Sequence, residues 1–165
     1  MAFSTDDGMS VALANADGTL QTPVPVTFPV AVGCTPVNYG TVGDVNHDGF
    51  ADVITGYAKN PNCGGSSDTP SGFFVFLGDG TGHFRGTFYP LGLEDYFVKL
   101  ADFNNDGKLD VAISDLGDGT GPYNFYTVPG NGDGTLNTAA AEVAVDDQLV
   151  SGIVPGDYNG DGKQD

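Results

Sequence analysis

Short apolar runs that end in Gly- and Asp-rich turns set the pattern along this chain. Val11-Ala12-Leu13-Ala14 leads into Asn15-Ala16-Asp17-Gly18-Thr19, and Phe74-Val75-Phe76-Leu77 into Gly78-Asp79-Gly80-Thr81. Tyr126-Thr127-Val128-Pro129 leads into Gly130-Asn131-Gly132-Asp133-Gly134-Thr135. Asp-Gly between apolar runs predicts a hairpin, because glycine accepts the positive φ of a tight turn. No helical period is sustained in any stretch. β-Branched and aromatic residues gather at Val53, Ile54, Phe73, Phe74, Val75 and Phe76, and again at Val111, Ile113, Phe125, Tyr126 and Val128. For one unit this spacing predicts strands near 38–43, 51–57, 72–77 and 84–89.

A second element alternates with the hairpins. Asp44–Asp52, Asp102–Asp110 and Asp157–Asp165 align without gaps as D-x-N-x-D-G-x-x-D, starting 58 and 55 residues apart. Each unit then reads strand A, acidic loop, strand B, variable loop, strand C, Asp-Gly turn, strand D. Four antiparallel strands in a unit of this length predict an all-β fold of propeller blades. The chain holds three blade equivalents, one of them split between the termini. Residues 1–36 supply strands B-C-D of the split blade, 37–95 the second blade, 96–150 the third, and 151–165 strand A and the acidic loop of the split blade. Closed propellers have four to eight blades. Three blades are therefore expected to belong to a longer ring or to associate. The favoured expectation is a homo-oligomer, a dimer of six blades, in which strand A of one copy completes the sheet of the other.

Composition sharpens this picture in one respect. Among 165 residues there are 22 acids and 5 basic residues, a formal charge of -17, and twenty of the acids are Asp. The short reach of Asp suits turns and metal loops. Such a charge excludes binding to nucleic acid or an anionic membrane surface by charge neutralisation. No apolar run is long enough to span a bilayer as a helix. With 11 Phe and 7 Tyr the chain can bury a core. The opening Met1-Ala2-Phe3 has no basic segment or apolar stretch, so no signal peptide is expected within this sequence.

The acidic loop has a definite chemistry. Positions one, three, five and nine offer side-chain oxygens, glycine at six permits the sharp turn, and the carbonyl at seven adds another oxygen. That donor set suits Ca²⁺, whereas Mg²⁺ demands a stricter octahedron and softer metals prefer nitrogen or sulfur. The candidate ligands are Asp44, Asn46, Asp48, Phe50 (carbonyl) and Asp52; Asp102, Asn104, Asp106, Lys108 (carbonyl) and Asp110; and Asp157, Asn159, Asp161, Lys163 (carbonyl) and Asp165. About three Ca²⁺ per chain are expected. Carboxylates this close repel by about 4 kcal/mol per pair at 4 Å and an effective dielectric near 20, so the loop should splay without a cation. An EF-hand is excluded, because Thr55 and Ile113 stand where its twelfth-position Glu would be.

The loop, the D-V-[IA] that follows it in two copies and the later Gly/Asp hairpin resemble the FG-GAP/VCBS repeats of integrin-α-like β-propellers. The resemblance covers nearly the whole chain. It implies Ca²⁺ in the loop between the first two strands of each blade, on the residues just named. It also implies an extracellular setting and binding of partners or sugars. The expected function is a calcium-stabilised extracellular scaffold for non-catalytic protein or glycan binding. The alternative is a lectin or an accessory domain of a carbohydrate-active enzyme.

Other features fit around this reading. The strand order brings Cys34 and Cys63 to one face, where they could form a disulfide. The variable face would carry Tyr57, Lys59, Asn60, Asn62, Asp115, Asp118 and Tyr123, as candidates for ligand contact. Tyr89, Tyr96 and Phe97 are expected to pack between blades. His47 and His83 adjoin no Ser or Cys nucleophile, and Gly78–Gly82 lacks the helix and Lys of a phosphate loop, so no enzyme activity is expected.

Overall fold

The computed structural model describes residues 2–5, 8–29, 40–57, 70–91, 96–115, 123–146 and 152–165. It is all-β, with one 3-10 turn at Thr138–Ala140. The strands are β1 (Ala2–Thr5), β2 (Gly8–Val11), β3 (Val24–Val26), β4 (Gly40–Gly43), β5 (Asp52–Tyr57), β6 (Gly72–Gly78), β7 (Phe84–Pro90), β8 (Tyr96–Ala101), β9 (Asp110–Asp115), β10 (Tyr123–Val128) and β11 (Glu142–Asp146). They form three antiparallel meanders, ordered β1-β2-β3, β4-β5-β6-β7 and β8-β9-β10-β11. The strands expected near 38–43, 51–57, 72–77 and 84–89 are β4 to β7.

The two central strands of the middle sheet, β5 and β6, are buried on both faces, which explains their composition. Along β6, Phe73 and Val75 point into a core shared with Val98, Val111, Ile113 and Val128 of the third sheet. Phe74 and Phe76 point the opposite way, toward Met9, Val11 and Val26 of the first sheet. β5 divides likewise, with Ile54 toward the third sheet and Val53 and Tyr57 toward the first. A strand covered on both sides loses the polar half of its alternation and reads as one apolar run, as β6 does. Each such side chain contributes about 1.5–3 kcal/mol on burial. The two interfaces use different means. The one against the first sheet is aromatic, with Phe28 meeting Phe74 and Phe76 edge-on at 4.9 and 5.0 Å. The other is largely aliphatic, with Tyr89 stacked on Phe73 at 5.1 Å. The Tyr89 hydroxyl also accepts a hydrogen bond from the Leu136 N–H of the third sheet, which places Tyr89 between blades as expected.

Two expectations are revised. Tyr57 is 2 % exposed and packs against Phe74 and Phe88, so it is a core residue and not a ligand contact. It is the last residue of β5, and its side chain faces the first sheet. Strand A of the split blade is not formed, because residues 152–157 lie in no strand and a ladder needs a partner edge. Their alternation survives, with Ile153 and Pro155 half-buried and Val154 exposed. Cys34, Cys63, Lys59, Asn60, Asn62 and Asp118 lie outside the described residues.

Candidate metal centre

The three acidic loops fold alike. The N–H at position five donates to the side-chain oxygens of positions one and three: Asp48 to Asp44 and Asn46, Asp106 to Asp102 and Asn104, Asp161 to Asp157 and Asn159. The N–H of the glycine at six donates to the other oxygen of position one. The N–H at seven donates to position five. Glycine six sits at φ 86°, 85° and 87° in the three copies. Position four is also left-handed, at His47, Asn105 and Gly160. Asn and His enter that region several-fold more readily than other side chains. That requirement explains His47, which the ligand pattern left without a role.

Positions one, three and five thus turn their oxygens onto one set of backbone N–H groups on the inner side of the loop. Among the described residues, no three or more His, Cys, Asp or Glu side chains gather into a metal-holding group. The donors fit a hard divalent cation in kind. All are oxygens, in the acidic spacing that Ca²⁺ loops use, and no nitrogen or sulfur ligand is among them.

Position nine differs from the rest. Asp52 and Asp110 are 0 % and 2 % exposed. Asp52 accepts from the Val45 N–H at 2.9 Å through one oxygen and from the Gly78 N–H at 2.9 Å through the other. Asp110 accepts from the N–H groups of Phe103 and Asn104 through one oxygen and from Gly130 through the other. Asp165 accepts from the Tyr158 N–H at 2.9 Å but is exposed. Burial pushes the Asp52 carboxyl above its ordinary range. The N–H groups of Gly78 and Val45 oppose that shift, and the charges of Asp48 and Asp44 add to it. Asp157 is held below that range, first by the Gly162 N–H.

The hairpin turns carry a second repeated device. Asp17, Asp79 and Asp133 each accept from both the N–H and the hydroxyl of the Thr two residues on, and these bonds lower their carboxyl pKa values. The three turns are not in the register that the Asp-Gly pairs suggest. The closing bonds run from Asn15 to Thr19, from Asn131 to Thr135, and from Asp79 to His83. Asp79 therefore occupies the place of Asn15 and Asn131, two positions ahead of Asp17 and Asp133.

Residues 102–165 match the family model of the FG-GAP-like repeat. No curated protein and no solved structure matches the chain. Among the described residues no helix is long and apolar enough to cross a membrane.

Proposed function

We propose that this chain, whose residues 102–165 match the family model of the FG-GAP-like repeat, is a calcium-stabilised, extracellular, propeller-type scaffold for non-catalytic binding of a protein or glycan. The observation that carries this reading is the threefold loop. The same hydrogen bonds recur at Asp44–Asp52, Asp102–Asp110 and Asp157–Asp165, around the same oxygen donors. In this reading each Ca²⁺ clamps the connection between strands A and B. About three ions would reduce the formal charge from -17 to about -11. At free Ca²⁺ about 100 times the dissociation constant, each independent site adds about 2.7 kcal/mol. Calorimetric titration of Ca²⁺ into chelator-stripped protein tests this, with saturable binding expected. No heat and no saturation would count against it.

The scaffold reading extends to association. β1 pairs only with β2 among the described strands, and residues 152–157 lie in no strand, so pairing between copies would satisfy both. Sedimentation at graded concentration tests this against a monomer. The glycan alternative is favoured by one feature, an open groove of about 470 Å³ lined by Asn46, Asp48, Phe50, Asp79, His83 and Arg85. Phe50, Leu77 and Phe84 give it an apolar wall beside the polar Asn46, Asp48, Asp79, His83 and Arg85. Glycan-array binding that Phe50→Ala abolishes would support it, and an array without signal would not.

A further inference from the structure

The ninth carboxylate is the least loop-like member of the acidic loop. In the two loops that lead into a sheet it is buried, and its oxygens are divided between two elements. One oxygen takes N–H groups at the start of the loop, from Val45 or from Phe103 and Asn104. The other takes the N–H of Gly78, the last residue of β6, or of Gly130, just beyond β10, where the C–D hairpin begins. A second observation points to the same junction. A Cβ on Gly78 would meet the Ala51 carbonyl oxygen at 2.5 Å, and one on Gly130 would meet the Leu109 carbonyl oxygen at 2.1 Å. The residue before the ninth Asp lies directly on the glycine that donates to it, which leaves no room for a side chain.

We infer that Asp52 and Asp110 are braces between the acidic loop and the C–D hairpin, and that they hold the loop in place whether or not a cation is bound. The brace adds to, and does not replace, the part of the ninth carboxylate in holding the ion on the calcium reading given above. The loop that receives it is already fixed to the sheet. The brace itself does not depend on that reading, because backbone N–H groups satisfy the carboxylate. A ligand-only role makes the opposite prediction for the ion-free protein. Neutralising a repelling carboxylate should then leave the chelated protein as stable as before, or more so. A brace needs both oxygens as acceptors, and Asn must turn its NH₂ onto one of the donors.

The test uses the full chain in EDTA, with Asp110→Asn set beside Asp106→Asn at position five. Site-resolved amide exchange and thermal unfolding are the readouts. The brace predicts that Asp110→Asn lowers the melting temperature and speeds exchange of the Gly130 N–H or of the Phe103 and Asn104 N–H groups. The expected acceleration is about ten- to a hundredfold, the range for a hydrogen bond to a charged acceptor. Asp106→Asn should leave those amides unchanged. If Asp110→Asn melts like the parent in EDTA, keeps all three amides protected and only weakens Ca²⁺ binding, the brace is wrong and the residue is a ligand. Should Asp110→Asn not fold, the parent decides. In EDTA its Gly78 and Gly130 amides must exchange as slowly as those within β6 and β10. Exchange at the rate of the exposed loop amides would overturn the proposal. Failure of the parent to bind Ca²⁺ would remove the calcium reading and leave these exchange arms intact.

Discussion

The loops at 102–110 and 157–165 make the same internal turns but differ in what stands behind them. In both, backbone N–H groups at positions five to seven converge on side-chain oxygens of positions one, three and five. In the first, the ninth Asp opens β9 and reaches across the sheet to Gly130. In the second, Asp165 is exposed, and its described side-chain partner is the Tyr158 N–H of its own loop. The shared part is thus set by nine residues of local sequence, and the buried brace by the sheet around it.

The largest effect expected from this comparison is on the ninth Asp. Asp110→Ala leaves buried N–H groups without an acceptor and should cost about 3 kcal/mol, whereas Asp165→Ala should cost less than about 1 kcal/mol. Urea unfolding of both variants checks the ratio, and equal costs would erase the distinction between the loops. Next in size is the sixth glycine. Gly107 and Gly162 have left-handed φ and open space where a Cβ would stand, so Ala meets backbone strain alone, about 1–2 kcal/mol. Chelated protein should register Gly107→Ala in global unfolding more than Gly162→Ala.

A smaller effect concerns the turns. Thr135→Val removes the hydroxyl that bonds Asp133 at this exposed site and should lower stability less than either change above. The smallest is a pH effect. Asp17, Asp79 and Asp133 have lowered pKa values, so their contribution is complete above the ordinary value of 3.8 and is lost as pH falls through the folded values. The sign is opposite for Asp52, whose raised pKa makes it protonate earlier. Burial makes its ionised form costlier above its folded pKa than the two N–H donors alone would leave it, and that cost is absent by pH 3.8. In EDTA, melting temperature should therefore change little or rise slightly toward pH 4 and then fall. Thr-to-Val changes in the three turns should flatten that fall, and an unaltered acid limb would contradict the assignment.

Much of this architecture was legible in the sequence, because strand period, Asp-Gly turns and loop motif all point the same way at β4 to β7. What escaped has identifiable causes. Tyr57 reads as a ligand contact because it borders the polar stretch of Lys59 and Asn60, yet the end of β5 carries it into an aromatic core. The Asp79 turn reads in register with Asp17 by its Asp-Gly pair, but the turn closes on His83. The demand for left-handed residues at position four was visible as His47, Asn105 and Gly160, a pattern that only backbone angles make meaningful. The brace was not legible, since Asp110 meets Gly130 only after β9 and β10 have paired.

Whether calcium holds the acidic loops, as proposed, is read from thermal unfolding of the chelator-stripped protein with saturating Ca²⁺ or with EDTA. Bound calcium should raise the melting temperature by many degrees, with the rise saturating as sites fill. Coincident melting curves would contradict it.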